Sequence, residues 1–115
     1  MPIDGQWFNA LGSVLQITSN GTSITGTYQV VRGNSQTIYP LVGSITGAGT
    51  AAVGWTILWA NANGDTNTLN SYAGIYVPGS PDSILTTWLR RTEVTEIENW
   101  AGTQIGVDVF GRTAP

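Results

Sequence analysis

The chain has 115 residues, enough for one domain (1–115) with a modest core, and a formal net charge of −3 from seven carboxylates and four arginines. So little positive charge is a poor match for nucleic acid, and no apolar run approaches the length of a membrane-spanning helix. The absence of cysteine and histidine excludes disulfides and thiolate or imidazole metal sites, and removes the usual general base, so no metal or cofactor is expected and an enzyme is disfavoured.

Thr, Val, Ile, Tyr and Trp recur in short runs punctuated by glycine, which indicates an all-β chain. The runs in order are 5–9, 13–18, 23–30, 37–45, 50–60, 67–77, 83–91 and 102–110. No signal peptide is expected ahead of Gly5. "NALGS" makes the first turn, "SNGTS" the second, "GNSQ" the third and "ITGAG" the fourth. "NANGD" carries an Asn-Gly hairpin signal and "VPGSPDS" is a loop. "TEVTEIENW" is longer and acidic, with room for a helical turn, and its Glu93, Glu96 and Glu98 suit a solvated loop. Eight strands with short sequential connections fit an eight-stranded antiparallel up-and-down β-barrel, which also removes exposed sheet edges; a β-sandwich would be punctuated in a similar way.

Taken as a barrel, the runs acquire an inside and an outside by alternation. Thr68, Asn70, Tyr72, Gly74 and Tyr76 share one face of their strand. Ile84, Thr86, Trp88 and Arg90 share one face of the next, and Gln104, Gly106, Asp108 and Phe110 one face of the last. The opposite faces carry Leu69, Ala73, Ile75, Val77, Leu85, Leu89, Ile105, Val107 and Val109, an apolar surface that a monomer would expose. Up-and-down order brings Asn9, Ser13, Tyr28, Trp59, Thr68 and Trp88 to one rim, polar at its floor and aromatic on its walls. Asn9 and Ser13 face each other if residues 10–12 form a tight loop. By themselves those two are a turn signature as much as a site. Trp7 and Trp55 are assigned to the core.

The segments "GQWFNALGS", "ITGTYQ", "VGWTILW", "TTWL" and "NWAGTQIGVDVF", in this order and spacing, resemble the avidin and streptavidin family of biotin-binding barrels from Gly5 to Phe110. The resemblance implies that Asn9, Ser13 and Tyr28 hold the ureido oxygen of biotin and that Asp108 accepts a ureido N–H. It puts Trp59, Trp88 and Tyr72 on the aromatic wall, with Tyr72 standing where streptavidin has Trp. Asn70 lies beside them on the inner face. Asn34, through its backbone N–H, and Thr68 fall where the valerate carboxylate is bound, and Gly33-Asn34 lies in the loop that closes over ligand. Trp100 matches the tryptophan lent to a neighbouring subunit's pocket, which implies a homotetramer; a secreted location rests on the resemblance alone.

The chemistry is coherent with those roles. A cyclic urea offers one strong acceptor and two donors, so an amide, a hydroxyl and a phenol can converge on its oxygen while a carboxylate answers an N–H. Besides Tyr72, three positions depart from the pattern. Val30 stands where a small hydroxyl residue usually meets the second ureido N–H. Arg32 and Arg90 replace apolar residues, and either could pair with the valerate carboxylate, crowd the tail or select another acidic ligand. Two functions remain open: a binding protein that sequesters biotin and catalyses nothing, and an avidin-like barrel with another ligand, such as a carbohydrate-binding lectin. Asn20-Gly21-Thr22 matches the glycosylation pattern, a frequent false positive.

Overall fold

Strict alternation of apolar and polar residues gives these segments one face that must leave water, and pairing them edge to edge satisfies their backbone groups. The computed structural model describes residues 1–32, 35–58, 68–92 and 103–115, those at 31–32, 35–37 and 92 by their backbone alone. Among them are eight strands: β1 (Gly5–Phe8), β2 (Val14–Asn20), β3 (Ser23–Arg32), β4 (Ser35–Ile45), β5 (Ala51–Leu58), β6 (Thr68–Val77), β7 (Ser83–Thr92) and β8 (Thr103–Phe110). They form one curled antiparallel sheet in sequential order, β1 to β8, as expected of an up-and-down barrel. The end of β1 and the residue after β8 are joined by a single bridge, in which Phe8 and Gly111 exchange both backbone hydrogen bonds, each at 2.8 Å.

Several boundaries differ from the sequence expectation. The second turn shrinks to Gly21-Thr22, because Asn20 and Ser23 are already paired. Gly21 takes φ +62° at the first central position, which suits the twist of a two-residue hairpin. The third turn also tightens: Val31 and Arg32 pair with Gln36 and Ser35, so β4 begins two residues early. Polar Ser35 and Gln36 carry no strand signal of their own and are held by the ladder they join.

The inner face is the core. Trp7, Leu15, Tyr28 and Tyr39 stand on successive strands in register, and all are buried. Trp55, Tyr72 and Phe110 fill the middle: Trp55 and Tyr72 stack at 5.1 Å between ring centroids, and Phe110 meets both edge-on. The end of the barrel away from the β1–β2 turn is closed by Arg112. Its guanidinium lies 3.6 Å from the Trp7 ring centroid and donates to both Asp82 carboxylate oxygens and to the carbonyls of Pro2, Asp4 and Gln6. Tyr76 donates to the same Asp82 carboxylate at 2.7 Å and packs edge-on against Trp7.

Candidate functional site

The site grows out of the β1–β2 turn. Asn9 and Ser13 do face each other: the Asn9 backbone N–H donates to the Ser13 carbonyl at 3.3 Å, and Gly12 N–H donates to the Asn9 carbonyl at 3.1 Å. The Asn9 side-chain oxygen accepts from the N–H groups of Leu11 (3.1 Å) and Ser13 (3.0 Å). That fixes which way the amide points, because only the oxygen can accept. Its Nδ2 is therefore turned inward, donating to the Tyr28 hydroxyl at 3.3 Å and to Asp108 Oδ2 at 3.5 Å. The oxygen end of the Asn9 amide serves the turn, and its nitrogen end faces Tyr28 and Asp108. Ser13 is buried beside it.

From this corner the polar groups continue across the lumen. Tyr28 and Tyr72 lie 6.3 Å apart between ring centroids. The Tyr72 hydroxyl hydrogen-bonds to Tyr28 and Asn70, and burial first, then the proximity of Tyr28 and Asp108, pushes its pKa far above a phenol's ordinary value. It stays neutral and protonated. Asp108 sits inward between exposed Val107 and Val109, as alternation requires. Desolvation raises its pKa, and the hydrogen bond from Asn9 opposes the rise. Thr86, buried opposite it, donates to the Asp108 backbone carbonyl at 2.9 Å and ties the strands together at this level.

Above the polar corner the wall is apolar. Val30 and Trp88 are half-buried and pack against the core. Trp88 pairs with Gly106, and a Cβ at position 106 would fall inside the indole, so the absence of a side chain there lets the ring lie against β8. Thr68 and Asn70 are buried on the inner face of β6, and Arg90, exposed, pairs with Asn70 at the mouth. The architecture thus brings together Asn9, Ser13, Tyr28, Asn70, Tyr72, Trp88 and Asp108. Gly33, Asn34, Trp59, Trp100 and the acidic connection at 93–98 lie outside the described residues.

A curled eight-stranded antiparallel sheet with a polar corner on its inner face has a known counterpart. The avidin family model matches residues 1–113, all but the last two positions. The chain belongs to the avidin family. Membership implies ligand binding and oligomerisation in general, and proteins of the avidin family are binding proteins, not enzymes. No helix among the described residues is long and apolar enough to cross a membrane, and no cluster of carboxylates among them could hold a metal ion.

Two features were not singled out from sequence. One is the Tyr72 hydroxyl as a member of the polar network, since the sequence resemblance gives this position an aromatic ring and says nothing of a phenol's hydrogen bonds. The other is the Arg112 closure. Its signal was present in the inner-face positions of Trp7 and Tyr76, but sequence pattern does not say which distant charges converge.

Proposed function

We propose that this protein binds biotin non-covalently inside the barrel, one molecule per chain, and sequesters it without catalysis. The observation that carries this reading is the convergence of Asn9, Tyr28 and Asp108 on one corner of the lumen, with buried Ser13 beside them, in a chain of the avidin family. In this reading Tyr28 and Ser13 donate to the ureido oxygen, and the Asn9 amide joins them by turning one N–H from its present partners to the ligand. Asp108 accepts a ureido N–H. Networks of this kind polarise one another in a dry site, which strengthens each bond. Trp88 and Tyr72 cover the bicyclic ring together with Trp59, and Thr68 and Asn34 meet the tail.

The same reading makes the protein a homo-oligomer, and Trp100 as a lid lent between subunits makes it a tetramer. On the outer faces of β6 to β8, Leu69, Ile75, Leu85, Leu89, Ile105, Val107 and Val109 are exposed in a single chain, Ile105 and Val107 by 70% and 74%. A contiguous apolar face of this kind is characteristic of an obligate interface.

The test is thermal. Biotin binds the folded state alone, so saturating biotin should raise the melting temperature and perturb tryptophan fluorescence, while mono- and disaccharides should do neither. No shift with millimolar biotin would refute the proposal; a shift with sugars in its place would support a lectin.

A further inference from the structure

The inner positions of β7 and β8 pair in three tiers. Thr86 is opposite Asp108, Trp88 opposite Gly106, and Arg90 opposite Gln104. At about 3.3 Å of rise per residue, the Arg90 tier stands roughly 13 Å along the strand from the Asp108 tier. The lowest tier holds a carboxylate joined to Asn9. The middle tier is the Trp88 indole over Gly106. The top tier carries a guanidinium at the mouth, flanked on β6 by Asn70 and next to Thr68, both buried. Polar base, aromatic middle and cationic mouth describe an elongated ligand with a hydrogen-bonding head, an apolar body and an anionic end.

The other described cations are placed elsewhere. Arg112 is held by Asp82 and three backbone carbonyls at the far end, and Arg91 lies on the outer register and bonds Thr103. Among the described side chains, Arg90 is therefore the one cation on the inner register. The chain's net charge of −3 gives an anion no general attraction, so any preference for one has to be local.

We propose that Arg90 makes the lumen selective for a free carboxylate at the ligand's tail, and so against the same ligand conjugated as a neutral amide. This rests on the biotin reading and specifies the end group that the mouth selects. A planar guanidinium offers paired donors that match a carboxylate, and the charge-assisted bonds are lost when the acid becomes an amide. Because Arg90 is exposed, the preference is modest and is screened by salt.

The experiment is calorimetric titration of biotin and of biotin methylamide into the wild type, Arg90→Leu and Arg90→Lys, at low and moderate ionic strength. The wild type is expected to prefer the acid by about tenfold at low salt, and less as salt is added. Arg90→Leu should bind acid and amide alike, and Arg90→Lys should keep part of the preference. Equal affinities in the wild type, or a preference that survives in Arg90→Leu, would overturn the inference and leave biotin binding standing. Failure of the wild type to bind either compound would overturn the biotin reading and this inference with it.

Discussion

Asn9 Nδ2 lies 3.3 Å from the Tyr28 hydroxyl, while the oxygen of the same amide is clamped by the N–H groups of Leu11 and Ser13. One side chain thereby closes the β1–β2 turn and presents donors to the lumen. The substitution Asn9→Asp separates the two tasks. It keeps an acceptor for the turn, removes the donor, and sets a second carboxylate close to Asp108. We expect urea stability to be reduced at neutral pH and recovered on acidification, because two carboxylates then share a desolvated corner, and biotin binding to be weakened by at least about 2 kcal/mol. Asn9→Ala loses both tasks and should also cost about 1–2 kcal/mol of stability. If Asn9→Asp binds biotin like the wild type, the amide is a turn residue only.

Asp108 carries a conflict between stability and binding. Its pKa is raised in the fold, chiefly by desolvation, so the native state holds this proton more tightly than the unfolded chain does. Stability from this group is present at low pH and is lost as pH rises through the raised value. Asp108→Asn should therefore raise the melting temperature of the ligand-free protein at pH 7, yet weaken biotin binding by about 2 kcal/mol. Binding to the wild type should also fade on acidification at a higher pH than an ordinary carboxylate would set. A ligand-free Asp108→Asn protein that melts below the wild type at pH 7 would contradict this assignment.

Much of the architecture was legible because alternation is a strong signal when one face of a strand is buried. The inner set on β6 and the inward Asp108 between Val107 and Val109 follow from counting by two, and the structure agrees residue by residue. The ends of β2, β3 and β4 were less legible. Asn20, Ser35 and Gln36 are strand residues by virtue of their partners, and a partner is not written in the local sequence. The candidate site was legible at Asn9, Ser13, Tyr28 and Asp108 through the family resemblance, since asparagine and serine flanking a turn are ambiguous alone. What could not be read was the direction of the Asn9 amide, which depends on two backbone N–H groups of the turn.

Val30 is half-buried against the core, and in the proposed biotin reading it stands where a hydroxyl would meet the second ureido N–H. Val30→Ser is expected to tighten biotin binding by about 1–3 kcal/mol, roughly tenfold or more. Competition between the two proteins for a limiting amount of biotin measures it directly. Unchanged affinity would mean that another group already serves that N–H.

The far end of the barrel should be independent of the ligand. Arg112→Ala removes the stacking on Trp7 and leaves Asp82 without its cation, which should cost about 2–3 kcal/mol of stability while affinity for biotin is retained in the folded protein. The hydrogen bond from Arg112, aided by Tyr76, holds the Asp82 carboxyl below the usual range. Its stabilising effect is complete above the unfolded carboxylate value and is lost as pH falls through the lower folded one. Denaturant melts of Asp82→Asn should accordingly depend less on pH across the acid range than those of the wild type.

The exposed apolar face offers a separate test. A groove of about 430 Å³ runs along the outer surface beside Ala73, Leu85, Val107 and Val109. A charge placed there would have to be buried without a partner in any interface that covers it. Light scattering behind size exclusion should give four chains for the wild type and fewer for Val107→Arg. A wild-type monomer at micromolar concentration would contradict the interface, and an unchanged Val107→Arg oligomer would move it elsewhere.

The most direct test of the whole account is a calorimetric titration of the wild-type protein with biotin. The account predicts saturable heat with one site per chain, an affinity that survives dialysis against sugars, and a loss of that heat in Asp108→Ala. No heat at millimolar biotin, or heat that Asp108→Ala leaves unchanged, would contradict it.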